Sequence, residues 1–490
     1  LRLTHSTHVT ALLVAFCSGA MTIFGYAPFY FYPLPIVALA VLFYCLQKAG
    51  SSKQATLIAY AFGLGFFCTG VSWIYVSLHD FGGMPWWFAG FATFTFCAFL
   101  ALFTAAAGWL TYRTQKILIA GPIFWVLLEW IRSWIFTGFP WLNVGYSQVP
   151  YGPLAGFAPV VGIYGVSLFV AFVASLLVLM ANKSSRKPAL LAFVVVWISG
   201  SVLKQLEWGQ PTGAPISVAL VQGNVPQEMK WQPEIAQQTL DDYLALARQS
   251  SAKLIVLPEA ALPELLEQLP PDYLNQLRAH GKDHQSDILV GMLESDQGQY
   301  FNSMLSYGSS PTQTYRKSHL VPFGEFIPFK VVFGWIYRDW LNMPISDLSS
   351  GTLNQRPLAI AGQQVAVNIC YEDVFGEEII RQLPQATLLV NASNMAWFGN
   401  SWSADQHLQM SQTRALETGR MMLRATNTGA TAIIDTHGHV LKVLPHFVRD
   451  TLESTVQGYN GTTPYVRWGN WPAIVFILIS VILLWGRKKK

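Results

Sequence analysis

Charge is scarce in this chain of 490 residues: 12% are Asp, Glu, Lys or Arg, whereas 52% are hydrophobic. A single soluble globule of that length cannot cover itself with so few charges, so membrane spans are expected. Also missing are a glycine-rich phosphate loop, a metal-ligand spacing among the ten histidines, an internal repeat and any low-complexity tract. No cofactor and no metal are therefore expected. The net charge of +4 makes no nucleic-acid surface, because the basic residues are spent on loops between apolar stretches. Cysteine is scarce as well. Four of the five (Cys17, Cys45, Cys68, Cys97) lie in hydrophobic segments, and only Cys370 falls in the polar part of the chain, so that part has no internal disulfide available.

What is abundant is long apolar sequence. Stretches near 9–27, 31–47, 55–78, 86–110, 117–136, 158–181, 189–204 and 470–486 each approach the roughly 17–25 residues that a helical span needs. Arg2, Lys48, Lys53, Arg113, Lys116, Lys183, Arg186, Lys187 and the tail Arg487, Lys488, Lys489, Lys490 fall on one side of such an arrangement. The alternate loops hold little more than Arg132 and Lys204. That bias marks the basic side as cytoplasmic. The expected organisation is a membrane domain over 1–208 with seven spans, an extracytoplasmic domain over 209–465, and an eighth span with a cytoplasmic tail over 466–490. Val14-Ala15-Phe16-Cys17 only half matches a lipoprotein cleavage box, since Phe16 is bulky, and the first span is expected to be retained. Trp86, Trp87, Trp134, Trp141, Tyr146, Tyr151, Trp468 and Trp471 gather at the outer span ends, as an interfacial belt would. Glu129 and Arg132 interrupt the fifth span. Three residues apart, they can pair on one helical face, either structurally or around a substrate.

The middle region alternates short β-branched runs with helical periodicity. Strands are expected at 216–221, 253–257, 288–293, 301–307, 313–317, 364–369, 387–391, 422–426, 430–435 and 439–444, with helices across 234–249, 272–280 and 403–420. This pattern predicts a layered α/β sandwich. Three groups stand at the ends of its apolar runs, where such sheets expose chemistry: Glu259 after Leu254-Ile255-Val256-Leu257-Pro258, Lys317 after Tyr315-Arg316, and Cys370 after Val365-Ala366-Val367-Asn368-Ile369. Taken singly, Glu259 can cap a helix, Lys317 can be a solvated charge and Cys370 an inert small hydrophobe. Taken together they make a base, a charge stabiliser and a nucleophile.

Leu257-Pro258-Glu259-Ala260, Arg316-Lys317-Ser318-His319-Leu320-Val321-Pro322-Phe323-Gly324-Glu325 and Ile369-Cys370-Tyr371-Glu372 resemble the Glu-Lys-Cys signature of the nitrilase (carbon-nitrogen hydrolase) superfamily. With Gly82-Gly83-Met84-Pro85, Thr137-Gly138-Phe139-Pro140-Trp141, Gly145-Tyr146-Ser147-Gln148, Val221-Gln222-Gly223-Asn224-Val225-Pro226-Gln227, Ala396-Trp397-Phe398-Gly399 and Gly469-Asn470-Trp471-Pro472, the chain is similar nearly end to end to the apolipoprotein N-acyltransferase family. One departure is Met395, where the family pattern has Asp. The resemblance implies a polytopic helical membrane domain of eight spans carrying a nitrilase-like αββα sandwich, in the bacterial inner membrane with the catalytic domain periplasmic. It implies transfer of an acyl chain from a phospholipid to the α-amine of a diacylglyceryl-cysteine apolipoprotein through a thioester on Cys370, with Glu259 as base and Lys317 as oxyanion partner. Supporting or substrate-binding roles go to Glu325, Tyr371, Glu372, Asn302 and Trp231. The apolar segment 331–341, with Trp335 and Trp340, reads as a lid or arm dipping into the outer leaflet, or as a buried core helix. The rival functions are a membrane-tethered nitrilase-type amidase and a non-enzymatic transporter or scaffold.

Overall fold

The computed structural model describes residues 5–230, 232–329, 331 and 347–486. Trp231, Trp335, Trp340, Arg2 and the basic tail 487–490 lie outside the described residues, as does nearly all of segment 331–341. The chain forms two compact units. One gathers the described residues up to Tyr75, Trp86–Leu206 and those from Arg467 onward; the other gathers Val76–Pro85 and Glu207–Val466.

The first unit is helical: His5–Met21, Pro33–Lys48, Ser52–Gly70, Trp86–Arg113, Ile117–Arg132, Ala158–Met180, Arg186–Leu203 and Trp471–Gly486. By length and hydropathy four described stretches can cross a membrane, His8–Gly25, Trp86–Arg113, Pro153–Met180 and Arg186–Leu203. A fifth is added if Ser52–Gly70 and Ile74–Phe81 count as one broken span. Pro33–Lys48 and Trp471–Trp485 are apolar but shorter. Small residues set the helix spacing. A Cβ on Gly65 would stand 2.1 Å from the Phe16 carbonyl oxygen, so only glycine lets these two helices meet backbone to backbone. The expected aromatic belt divides. Trp86, Trp87, Trp134, Tyr151, Trp468 and Trp471 are exposed, whereas Trp141 and Tyr146 are buried, Trp141 against Trp73 at 5.1 Å. Glu129 and Arg132 take separate partners. Glu129 accepts from Trp125 Nε1 at 2.9 Å and Val144 N at 2.8 Å, while Arg132 donates to the Phe139 and Trp141 carbonyls and to Asn143.

The second unit is built on two six-stranded sheets. In the first, Asp450–Gly461 (β12), Gly209–Gln222 (β1), Leu254–Val256 (β2), Asp287–Asp296 (β3), Gln299–Gly308 (β4) and Thr314–Arg316 (β5) lie side by side in that order. The second runs Val440–Val443 (β11), Ala432–Ile434 (β10), Met422–Thr426 (β9), Leu388–Ser393 (β8), Gln363–Ile369 (β7) and Leu358–Ile360 (β6). The side-chain period of two assigns each strand's residues to layers. Val218 and Leu220 of β1, Leu254 and Val256 of β2, and Val365, Val367 and Ile369 of β7 form the core between the sheets. Their alternates Ala219, Val221 and Ile255 face outward and pack on Leu240, Tyr243 and Leu244 of helix Pro233–Gln249 and Leu277 of helix Tyr273–Asp283. Ala366 and Leu389 pack on Leu408 and Ala415 of helix Ser403–Thr418. Each fully buried Val, Leu or Ile contributes about 1.5–3 kcal/mol, so the order of layers, helix–sheet–sheet–helix, follows from the pattern. The strands β1, β2 and β3 run parallel, as do β7, β8 and β9, and this gathers their carboxyl ends.

Two strands were not legible in the sequence. β12 pairs antiparallel with β1 from Gly209↔Gly461 to Gln222↔Asp450. Its sequence is mostly polar, with only Leu452, Val456 and Gly458 fully inside, so no alternation announces it. β6 has three residues and, among the described residues, pairs only with β7. β1 also begins at Gly209 rather than Ile216; its first half is mostly exposed.

Candidate active site

Two of the three strand-end groups bond directly, and the third lies near enough to feel the charge of both. Glu259 follows β2 by three residues, on a turn that crosses over β3. A Cβ on Gly291 would stand 2.1 Å from the Pro258 carbonyl oxygen, so this close approach requires glycine there. Lys317 follows β5 directly, and its N–H donates to the Asn302 carbonyl on β4 at 2.8 Å. Arg316, its neighbour, is the ribbon charge nearer to solvent and pairs with Glu294 and Asp296. Lys317 is the buried one, at 1% exposure, and its Nζ donates to Glu259 Oε1 at 3.1 Å and to Glu325 Oε1 at 2.9 Å.

Asn302 binds the same two carboxylates, its Nδ2 donating to Glu259 Oε1 at 2.8 Å and to Glu325 Oε1 at 3.0 Å. The other oxygen of Glu259 accepts from Asn394 N at 2.9 Å, at the end of β8. Asn394 is itself held by Gln227 and Asn427. Glu259 is thus fixed from both sheets. Burial by itself would push its carboxyl up. The Lys317 charge and hydrogen bond, the Asn302 bond and the Lys230 charge outweigh burial and leave it below its usual value. Burial also opposes the Lys317 charge, but Glu259, Glu325 and Cys370 overcome it and hold the ammonium well above its ordinary value.

Cys370 opens the turn Cys370–Val374 after β7, half-buried, with its backbone at φ +52°. That left-handed conformation costs a cysteine about 1–3 kcal/mol and is kept where surrounding bonds impose it. Burial pushes the thiol well above its ordinary value; Glu259 adds to this, and Lys317 and Arg424 pull the other way. At neutral pH the site therefore holds a protonated thiol beside an ionised carboxylate. Such a carboxylate can accept a thiol proton where negative charge is held elsewhere.

Glu325 and Asn302, to which the resemblance gives supporting roles, are direct members of the cluster. Glu372 does something different. It accepts from Ser318 N at 2.7 Å, Ser318 Oγ at 2.8 Å, His319 N at 3.2 Å, the Tyr315 hydroxyl at 3.0 Å and Ile369 N at 2.7 Å. It staples the segment that carries Lys317 to the turn that carries Cys370. The Tyr371 ring lies edge-on to His319 and Phe375. Met395 places its sulfur 3.2 Å from His407 Nδ1. Lys230 is a group that sequence reasoning missed. It is 2% exposed, its Nζ donates to the Glu259 main-chain oxygen at 3.4 Å, and burial brings it down to about 8 against the pull of Glu259 and Cys370. Nothing in its local sequence distinguishes it from a solvated lysine. Among the described residues no cluster of three or more His, Cys, Asp or Glu could hold a metal ion.

Comparison with known proteins gives two family matches. The apolipoprotein N-acyltransferase N-terminal domain matches residues 18–176, and carbon-nitrogen hydrolase matches residues 217–465. A protein of Nitrosomonas europaea named apolipoprotein N-acyltransferase is 54% identical over 483 residues, covering 97% of this chain and 96% of its own length. One of the same name from Chromobacterium violaceum is 42% identical over 490 residues, covering 97% and 94%. Among solved structures, an amidase from Nesterenkonia sp. superposes with a TM-score of 0.39 at 16% identity, over 55% of this chain and 98% of its own.

Proposed function

Because the chain belongs to the apolipoprotein N-acyltransferase family, we propose that it acylates the α-amine of S-diacylglyceryl-cysteine apolipoproteins from a phospholipid donor, in two steps through Cys370. It is an acyltransferase of lipoprotein biosynthesis with a nitrilase-like domain. In the first step the Cys370 thiol attacks the ester carbonyl and Glu259 takes the thiol proton. Lys317 and the Tyr371 main-chain N–H hold the oxyanion. The C–O bond then breaks, the glycerol oxygen takes the proton from Glu259, and a thioester remains. In the second step the acceptor amine attacks the thioester, Glu259 takes an N–H proton and returns it to the departing sulfur. Glu325 and Asn302 keep the ammonium of Lys317 and the carboxylate of Glu259 in register.

The observation that carries this reading is the bridge from Lys317 to both Glu259 and Glu325, next to a thiol that all three influence electrostatically. The eight apolar helices cross the inner membrane and leave the domain of residues 209–465 in the periplasm. The support is the bias of Lys48, Lys53, Arg113, Lys116, Lys183, Arg186 and Lys187 to one set of loops. Phe323, Phe329 and Val331 are apolar and exposed, at 41%, 62% and 100%, and are the described residues with which the domain meets lipid.

Intact-mass measurement tests the scheme. Incubation of the purified chain with phosphatidylethanolamine vesicles is expected to add one fatty acyl mass, absent in Cys370→Ala, and a diacylated lipopeptide is expected to remove it. An adduct that water clears as fast as the lipopeptide does would make the chain a hydrolase. An adduct that persists in Cys370→Ala would end the role of Cys370.

A further inference from the structure

Directly beneath Cys370 lies a second polar cluster that the acyl-transfer scheme does not use. Asp373, on the Cys370 turn, and Arg424 of β9 are both 0% exposed, and His407 of helix Ser403–Thr418 is 1% exposed. Arg424 places one guanidinium nitrogen 2.9 Å from His407 Nδ1 and the other against Asp373 at 3.3 Å and Asn391 Oδ1 at 2.7 Å. Ser411 also donates to Asp373. An arginine can only donate hydrogen bonds, so Nδ1 of His407 must accept and the ring proton must sit on Nε2. That Nε2–H reaches Asp373 Oδ1 at 2.5 Å and the main-chain carbonyl of Cys370 at 3.1 Å. Burial and the Arg424 charge both lower the His407 pKa, which agrees with a neutral ring. The same Cys370 carbonyl accepts from Asn391 Nδ2 at 3.1 Å.

We infer that His407 is a positioning residue for the nucleophile: as the neutral Nε2–H tautomer fixed by Arg424, it clamps the Cys370 carbonyl and so holds the cysteine in its left-handed conformation. The inference rests on the reading of Cys370 as nucleophile. Two donors, one from helix Ser403–Thr418 and one from β8, grip a carbonyl that an unstrained strand end would turn elsewhere. Rotation of that peptide would swing the thiol away from Glu259, and a displacement of about 1 Å can cost about 100-fold in rate.

Two substitutions separate clamping from packing. The amide nitrogen of Gln can stand where Nε2 stands and reach the Cys370 carbonyl, whereas that of Asn stands near Nδ1 and cannot. His407→Gln is expected to form the acyl adduct from phosphatidylethanolamine within about threefold of the wild-type rate. His407→Asn should form it about 10–100-fold more slowly through kcat, at unchanged KM and with a melting temperature equal to that of His407→Gln. Equal rates in both variants would overturn the inference. So would equal losses that track a shared drop in melting temperature, or failure of both to fold, since each assigns His407 to packing alone. Cys370→Ala in parallel keeps the questions apart: an adduct surviving there removes the nucleophile itself, whereas normal adduct formation in His407→Asn removes only the clamp.

Discussion

Replacing Lys317 with methionine keeps an unbranched side chain as far as Cε and removes the charge that, among the described residues, bonds both carboxylates. In the intact site Nζ lies 3.1 Å from Glu259 and 2.9 Å from Glu325, at 1% exposure. Removing one partner of a buried ion pair costs about 3–5 kcal/mol, because the remaining charge stays desolvated. The pH dependence gives the sharper test. Glu259 is held below its unfolded pKa, so the stability it contributes is present above that value and is lost as pH falls through the folded one. Without Lys317, burial meets only the weaker opposition of the Asn302 bond and the Lys230 charge, and the folded pKa rises. Relative to wild type the variant is then penalised as pH rises and relieved as it falls. Melting curves in lipid nanodiscs at about pH 7.5 and about pH 5 should show a wide gap between wild type and variant that narrows in acid, where Glu259 of the variant takes up a proton. Acyl-adduct formation should fall about 100–1,000-fold with the loss of an oxyanion donor. A gap that is the same at both pH values, or a variant as stable as wild type near pH 7.5, would refute the charge assignment.

Glu259→Gln should slow adduct formation about 100–10,000-fold while making Cys370 easier to alkylate. The Glu259 charge helps to hold the thiol up, so removing it should move the pH midpoint of iodoacetamide labelling downward; an unchanged midpoint would count against the electrostatic coupling. Glu372→Ala leaves the main-chain donors of Ser318, His319 and Ile369 without their shared acceptor, at about 1–3 kcal/mol for each one left unsatisfied. Its melting temperature should drop markedly, and wild-type stability would show that the staple is dispensable. Gly291→Ala forces a methyl against the Pro258 carbonyl, with overpacking worth about 1–3 kcal/mol, and is expected to slow adduct formation by moving Glu259; unchanged turnover would show that the turn yields freely.

Much of the site could be read before folding because each chemical group terminates an apolar run. Val365-Ala366-Val367-Asn368-Ile369 announces a buried strand, and a residue just past a buried strand in a layered α/β sandwich stands at its open end. The same logic placed Glu259 after Leu254-Ile255-Val256. It says nothing about Lys230, whose burial comes from distant chain folding over it, nor about His407, Asp373 and Arg424, which meet across a helix, a turn and a strand. β12 was hidden for a related reason: its outer face is polar, and its inner face offers few apolar residues. In the helical unit, composition found the apolar stretches but could not tell which aromatics face outward. Trp141 and Tyr146 look like interfacial anchors in sequence and are interior side chains. The spacing of Glu129 and Arg132 permits an ion pair, yet nearby carbonyls and N–H groups claim each of them first.

The groups proposed to react are mounted on different plates. Glu259, Asn302 and Lys317 ride on the first sheet, Cys370 and Asn394 on the second, and greasy side chains such as Val256, Leu289, Val367 and Val390 keep the two plates in registration. Sliding one plate past the other by a fraction of an ångström would leave the fold intact and every reactive group present, yet aim the sulfur wrongly. That inner layer is therefore an alignment part as well as ballast, and wear in it would show first as lost chemistry.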